Sequence, residues 1–209
     1  ANKFTAGPDA VSLITKHQSA RLTSYNDNGV WKVGYATPSY RGVPVQEGIT
    51  ISGDEAFEYL NDYLDRVVAS VIQNNVKTLL TQEMFDSLCA LVYDIGPEEF
   101  IDSTIVPNLN SGDYEGAVNR YLDYTGSSGR AVAQRIDEKD VFLSGGIPSS
   151  NGQLISPTNV PLLSNEARRA SVLGFRDPAG IWPQYKFEPD TNRLARHEQI
   201  EKTIVRKKE

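Results

Sequence analysis

The stretch Leu13–Tyr35, LITKHQSARLTSYNDNGVWKVGY, gathers Gln18, Asp27 and Lys32 into one short segment. An amide, a carboxylate and an ammonium are groups for moving protons and for holding a polar ligand. Asp27 could act as a base or steady a developing positive charge. Gln18 could hold a ligand by hydrogen bonds, but an amide has no titratable proton and cannot be a general acid. Lys32 would pair with Asp27 and make it a poorer base. Glu47 and Asp94 are further carboxyls that could reach such a site, although nothing in the spacing demands it. Asp27 also has a second reading. In Tyr25-Asn26-Asp27-Asn28-Gly29 it is a good turn residue, because Asn, Asp and Gly cap their own backbone and tolerate left-handed conformations. Both readings stand at this point.

Other reactive side chains are sparse. His17 is expected on the half-buried face of a first helix, the second histidine, His197, is far away, and Cys89 is alone. These assemble no metal site, and no cofactor is expected. Cys89 falls in a helical apolar pattern and reads as a small buried hydrophobe. The chain has 209 residues, 39% of them hydrophobic, enough for one ordinary domain with a core plus an extension. Charge is uneven: residues 1–164 carry a net −9 and residues 165–209 a net +3. An acidic body is a poor match for nucleic acid or an anionic cell wall, since steering would be repulsive. No apolar run approaches the length of a membrane span, and ANKFTAGPDAV has no charged-then-apolar leader, so neither membrane insertion nor self-export is expected.

The elements that must position these groups can be read in order. A first helix is predicted from Asp9, as N-cap after Pro8, to about Ser19, with Val11, Ile14 and Gln18 on one side. Residues 23–48, rich in Gly, Pro, Tyr and Val, predict a small antiparallel sheet with tight turns. Ser52-Gly53-Asp54-Glu55 is a capping box opening a long helix through Ile72. Thr81 caps a helix whose Phe85, Leu88, Cys89 and Val92 form the central stripe. A further helix turns Ala117, Val118, Tyr121 and Leu122 inward. Residues 145–165 have linker composition.

The opening stretch resembles that of the phage-type lysozymes, the muramidases of glycoside hydrolase family 24. In that family a helix ending in a catalytic Glu precedes G-x-R-L, a Tyr, an Asp and a strand G-x-W/Y-T-I-G. Ser19-Ala20-Arg21-Leu22, Tyr25, Asp27 and Gly29–Tyr35 match these pieces, with Gln18 at the Glu position and Lys32 at the Thr position. Leu80–Thr104 is similar to the family's second signature, with Asp94 where Asn is usual. Leu109–Tyr114 is similar to its L-N-x-G-D-Y, and Gln134–Gly145 to its closing helix. The resemblance implies an α+β, lysozyme-like fold: a small antiparallel β-sheet lobe, a mainly helical lobe, and an extended C-terminal arm. The implied boundaries are a lysozyme-like domain at 1–145, a linker at 146–165 and an arm at 166–209.

Glycoside hydrolysis normally uses two carboxyl groups across the scissile bond. With Gln18 in place of the acid, the resemblance implies a degenerate lysozyme, the loss of acid catalysis costing ~10²–10⁴-fold. The alternative is a working muramidase pairing Asp27 with Glu47 or Asp94. A third reading is a wall-binding groove using Gln18, Tyr35 and Trp31, Tyr35 being the expected substrate contact. The segment from Gly174 to Ala195 is similar to the G-F-x-D-P-x-G-x-Y-P…D-T-N-x-L pattern of tail-associated lysozymes in contractile-tailed bacteriophages. That implies assembly contacts through Phe175, Asp177, Trp182, Tyr185, Asp190, Asn192 and Arg193. Together with the altered site it implies, as the leading reading, a structural component of a contractile tail baseplate built on an inactive lysozyme domain, with hub or spike proteins as partners, peptidoglycan as a further ligand, and a place in the virion after synthesis in the host cytoplasm.

Overall fold

The computed structural model describes residues 4–126, 131–149 and 153–155. The expected arm at 166–209, with its seven contact residues, lies outside them, as does most of the expected linker. Helix α1 spans Pro8–His17, two residues earlier at its start than the Asp9 cap predicts, with Gly7 as N-cap. The reason is tertiary. The Gly7 N–H donates to Asp86 Oδ1 at 2.8 Å, and a Cβ on Gly7 would sit 2.5 Å from Asp86 Oδ2. Pro8 then fits the first helical turn, where its missing N–H costs nothing. The helix stops before Gln18, which is extended (φ −120°, ψ 113°) while its N–H still reaches Ile14 O at 2.8 Å.

Strands β1 (Arg21–Asp27) and β2 (Val30–Gly34) form an antiparallel hairpin closed by Asn28 and Gly29. Both turn residues have positive φ, 51° and 90°, as a two-residue hairpin of matching twist requires. Asn26 Oδ1 accepts the Gly29 N–H at 2.8 Å. The turn is therefore built by Asn26, Asn28 and Gly29 rather than by the Asp27 side chain. Gly34 ends β2 where a Cβ would press on Ala56 at 3.1 Å, so the hairpin lies close against the next helix. A second short ladder pairs β3 (Ser39–Tyr40) with β4 (Val43–Pro44).

The capping box forms in full: Ser52 Oγ accepts from Glu55 N at 3.1 Å and Glu55 Oε2 from Ser52 N at 2.7 Å. It opens α2 (Gly53–Tyr63), which widens into a π-helical stretch at Leu64–Val68 and resumes as α3 (Ala69–Asn75). The predicted long helix is thus present with a local widening. Helix α4 (Gln82–Ile95) is capped by Thr81 and has every residue from Met84 to Val92 buried. It packs on α1 and on the last helix, and so forms the middle of the core. Cys89 is fully buried there. Short helices α5 (Pro97–Ile101), α6 (Ile105–Asn110) and α7 (Tyr114–Asn119) lead through a 3₁₀ turn at Arg120–Tyr124 to α8 (Val132–Ser144). Ala117, Val118 and Tyr121 point inward as expected, but Leu122 is 44% exposed, because the helix tightens before reaching it and the residue spacing changes. Beyond α8 the backbone pairs β5 (Ile147–Pro148) with β6 (Leu154–Ile155), and Ile147 is buried in the core. The body therefore continues past the expected boundary at 145. The architecture is α+β and lysozyme-like. No helix among the described residues is long and apolar enough to cross a membrane.

Candidate active site

A cleft of about 920 Å³ lies between the hairpin and the helical lobe, large enough for an oligomeric ligand. The end of α1 supplies His17 and Gln18, the hairpin supplies Arg21, Tyr25, Asp27 and Lys32, and α4 supplies Tyr93 and Asp94. Tyr124, Thr125, Gln134 and Arg135 line the opposite wall. The three residues singled out by the sequence, Gln18, Asp27 and Lys32, are thus brought together, with Asp94 in the same cleft. Glu47 is not among its lining residues.

Gln18 owes its position to the end of α1: the helix stops beneath it and delivers its side chain to the cleft. Among the described residues its amide makes no hydrogen bond to protein, so a ligand can use both its donor and its acceptor. Asp27 is held differently. Lys32 Nζ donates to Asp27 Oδ2 at 2.6 Å, and Asn28 Nδ2 donates to Asp27 Oδ1 at 3.3 Å. Tyr25 and Lys32 face each other across the ladder, and this register brings Lys32 alongside Asp27. The pairing with Lys32 expected from the sequence is present on Oδ2, and Asn28 takes the other oxygen.

Asp94 meets Arg135, which also forks onto Glu138, its Nη1 lying 2.8 and 2.7 Å from Oε1 and Oε2. Gln134 Nε2 adds a bond to Glu138 Oε1 at 3.1 Å. Arg135 and Glu138 are both buried. Burial pushes the Glu138 carboxyl up to about 7, and the pull of Arg135 in the other direction does not offset it. At the end of α1, Asp137 Oδ2 accepts from Lys16 Nζ at 2.5 Å and from His17 Nε2 at 2.7 Å. His17 is accordingly a half-buried structural residue, as expected. The clusters around Arg135 and Asp137 were not singled out by sequence reading. The one local signal for the first was the Arg135/Glu138 spacing within a helix.

Tyr35 is corrected. Its side chain is 7% exposed, its ring packs on Phe57 at 5.1 Å, its carbonyl accepts the Tyr93 hydroxyl at 2.6 Å, and burial pushes its phenol up to about 12. It is core and not a lining residue of the cleft. The end of β2 explains this: Gly34, with φ 64°, turns the chain out of the strand, and Tyr35 in the turn that follows is buried, while Lys32 within the strand lines the cleft. Trp31 packs partly buried against the core and is likewise not a lining residue. No cluster of His, Cys, Asp and Glu among the described residues could hold a metal ion.

A helix end, a hairpin and a carboxylate-bearing cleft between two lobes define a lysozyme-like protein. Residues 15–138 match the phage lysozyme family, and the chain belongs to that family. It is 31% identical over 114 residues to an endolysin of Acyrthosiphon pisum secondary endosymbiont phage 1, covering 54% of this chain and 75% of that one. It is 29% identical over 116 residues to the endolysin of Salmonella phage P22, covering 54% and 79%. Among solved structures, the endolysin from Escherichia coli O157:H7 phage FAHEc1 superimposes with a TM-score of 0.60 at 24% identity, covering 71% of this chain and 99% of that one. The muramidase domain of SpmX from Asticaccaulis excentricus gives 0.56 at 25%, covering 68% and 99%.

Proposed function

We propose that this chain acts on peptidoglycan as a lysozyme-type protein, holding a glycan strand in the cleft past Gln18, Asp27 and Asp94. Family membership and the endolysins it matches support the substrate class. The observation that carries the reading is the pairing, in one cleft, of an amide with no partner among the described residues and a carboxylate poised at the end of a hairpin.

How far the reaction runs depends on the acid. Gln18 can bind a sugar hydroxyl or carbonyl but delivers no proton, and Asp27 is engaged by Lys32 and Asn28. Glycan binding with hydrolysis slowed by ~10²–10⁴-fold is the outcome this geometry supports. The second reading is a fully working muramidase. The endolysins among its relatives favour it, and so does Asp94, a second carboxyl in the cleft with Asp27, although Arg135 engages it. Lysis of purified peptidoglycan followed by turbidity separates the two. Rates equal to those of acid-bearing endolysins, abolished by both Asp27→Asn and Asp94→Asn, establish the second reading. Co-sedimentation with sacculi without comparable lysis establishes the first. Failure to do either overturns both.

The arm at 166–209 motivates a further role, docking in a contractile tail baseplate of the virion. That role rests on the sequence pattern of the arm alone. Retention of an arm-deleted chain in assembled particles would remove it.

A further inference from the structure

The charged side chains lining the cleft divide by whether a partner holds them. Lys32 is engaged by Asp27, Arg135 by Asp94 and Glu138, and His17 by Asp137. Arg21 differs. Among the described residues its side chain makes no ion pair and no hydrogen bond to protein; its guanidinium carbon lies 3.7 Å from the centroid of the Tyr25 ring. The strand between them is irregular: Arg21 pairs with Gly34 and Tyr25 with Lys32, so the register shifts within β1. Such an irregularity bends a strand and re-aims its side chains. Stacking holds the guanidinium plane in place, while its five N–H donors remain at the edges.

We infer that Arg21, seated on Tyr25, is an anion-recognition point in the cleft that takes a carboxylate of the bound glycan. A planar guanidinium fixed by a ring is suited to bidentate carboxylate binding, and a ring-stacked arginine loses less freedom on binding than a free one. The body is acidic overall, yet at this end of the cleft the unneutralised charge is positive. A neutral sugar oligomer would leave it unused. Peptidoglycan offers carboxylates on its peptide stems and, where a stem has been removed, on the lactyl ether of its muramic sugar, whose carboxyl is otherwise tied up in the amide to the stem; either presents the same group to Arg21. This inference rests on the glycan-binding reading above.

The test compares wild type, Arg21→Gln and Tyr25→Leu on three ligands. These are a neutral N-acetylglucosamine oligomer, peptide-stripped muramyl glycan that keeps the sugar acid, and peptide-bearing fragments. Arg21→Gln is expected to lose about tenfold in affinity for a carboxylate-bearing ligand, the scale of one charge-assisted hydrogen bond, and nothing for the neutral oligomer. Tyr25→Leu, which keeps the guanidinium but removes its seat, is expected to lose less on the same ligand. Loss on stripped glycan assigns the sugar acid; loss confined to peptide-bearing fragments assigns the stem. Equal loss on the neutral oligomer, or no loss on either acidic ligand, overturns the inference. If wild type binds none of the three, the glycan-binding reading itself falls. Circular dichroism of each variant shows whether the fold is kept, and Arg21→Lys, which keeps charge without the planar fork, is expected to recover only part of the affinity.

Discussion

Two ion pairs border the same cleft, one of them only through Arg135, and they differ chiefly in how much water reaches them. Arg135 and Glu138 are 1% and 0% exposed, in helix α8, whereas Lys32 and Asp27 are 25% and 44% exposed, on the hairpin. In the helical lobe the charges were taken out of water, which is costly unless every donor and acceptor is met. Accordingly Arg135 forks onto Glu138 and reaches Asp94 and the Tyr124 carbonyl, while Gln134 closes on Glu138. On the hairpin, solvent does most of that work, and the pair can open at little cost. The first pair is part of the scaffold that shapes the cleft. The second belongs to the surface that meets the ligand.

Arg135→Met should break that contrast most severely. It strands Glu138 in the core without its partner, and a loss of about 3–5 kcal/mol in unfolding free energy is expected. Denaturant titration measures it. A change below about 1 kcal/mol would mean that the buried pair is no more structural than the exposed one.

A gain of chemistry comes next. Gln18→Glu puts a titratable proton at the end of α1, and lysis of peptidoglycan should rise by up to about 10²-fold, the lower range for general acid catalysis. It should still fall short of acid-bearing endolysins while Lys32 holds Asp27, and a further Lys32→Thr change should raise it again. Turbidity clearance reports both steps. No rise in either variant would show that Asp27, too, has lost its role.

The pH dependence sharpens the contrast from the buried side. Glu138 has an ordinary value of 4.5 and is raised to about 7 by burial. As pH rises through 4.5 the unfolded chain releases this proton while the folded protein keeps it. Stability is therefore fully present below 4.5 and is lost as pH climbs to about 7, with a slope of at most about 1.4 kcal/mol per pH unit. The difference between wild type and Glu138→Gln in unfolding free energy, measured from pH 4 to 8, isolates this contribution. Equal slopes in the two proteins would remove it.

The same contrast explains what was legible in the sequence. The capping box at Ser52, the cap at Thr81 and the apolar stripe of α4 are local patterns with local causes, and each appears where expected. So does the Lys32–Asp27 pair, because a tight hairpin brings those residues together within one element. What escaped was nonlocal. The start of α1 is set by Asp86, and the walls of the cleft by α8, far away in sequence. Tyr35 was misplaced for another reason: its match to a motif suggested a ligand contact, whereas the turn that begins at Gly34 sends it into the core. The resemblance to a family could supply the set of residues at the site, but not their burial.

Lys32→Met is the smallest expected effect and the most discriminating. The pair it breaks is substantially exposed, so stability should change by less than about 1 kcal/mol. Asp27, which keeps water and Asn28, is then released as a base. If the hairpin pair is functional, the double variant Gln18→Glu/Lys32→Met should clear peptidoglycan faster than Gln18→Glu alone, with both proteins unfolding at the same denaturant concentration. A cost as large as that of Arg135→Met would mean instead that Lys32 braces the hairpin. The exposed pair would then belong to the scaffold like the buried one, and Asp27 would be a structural residue that happens to face the cleft.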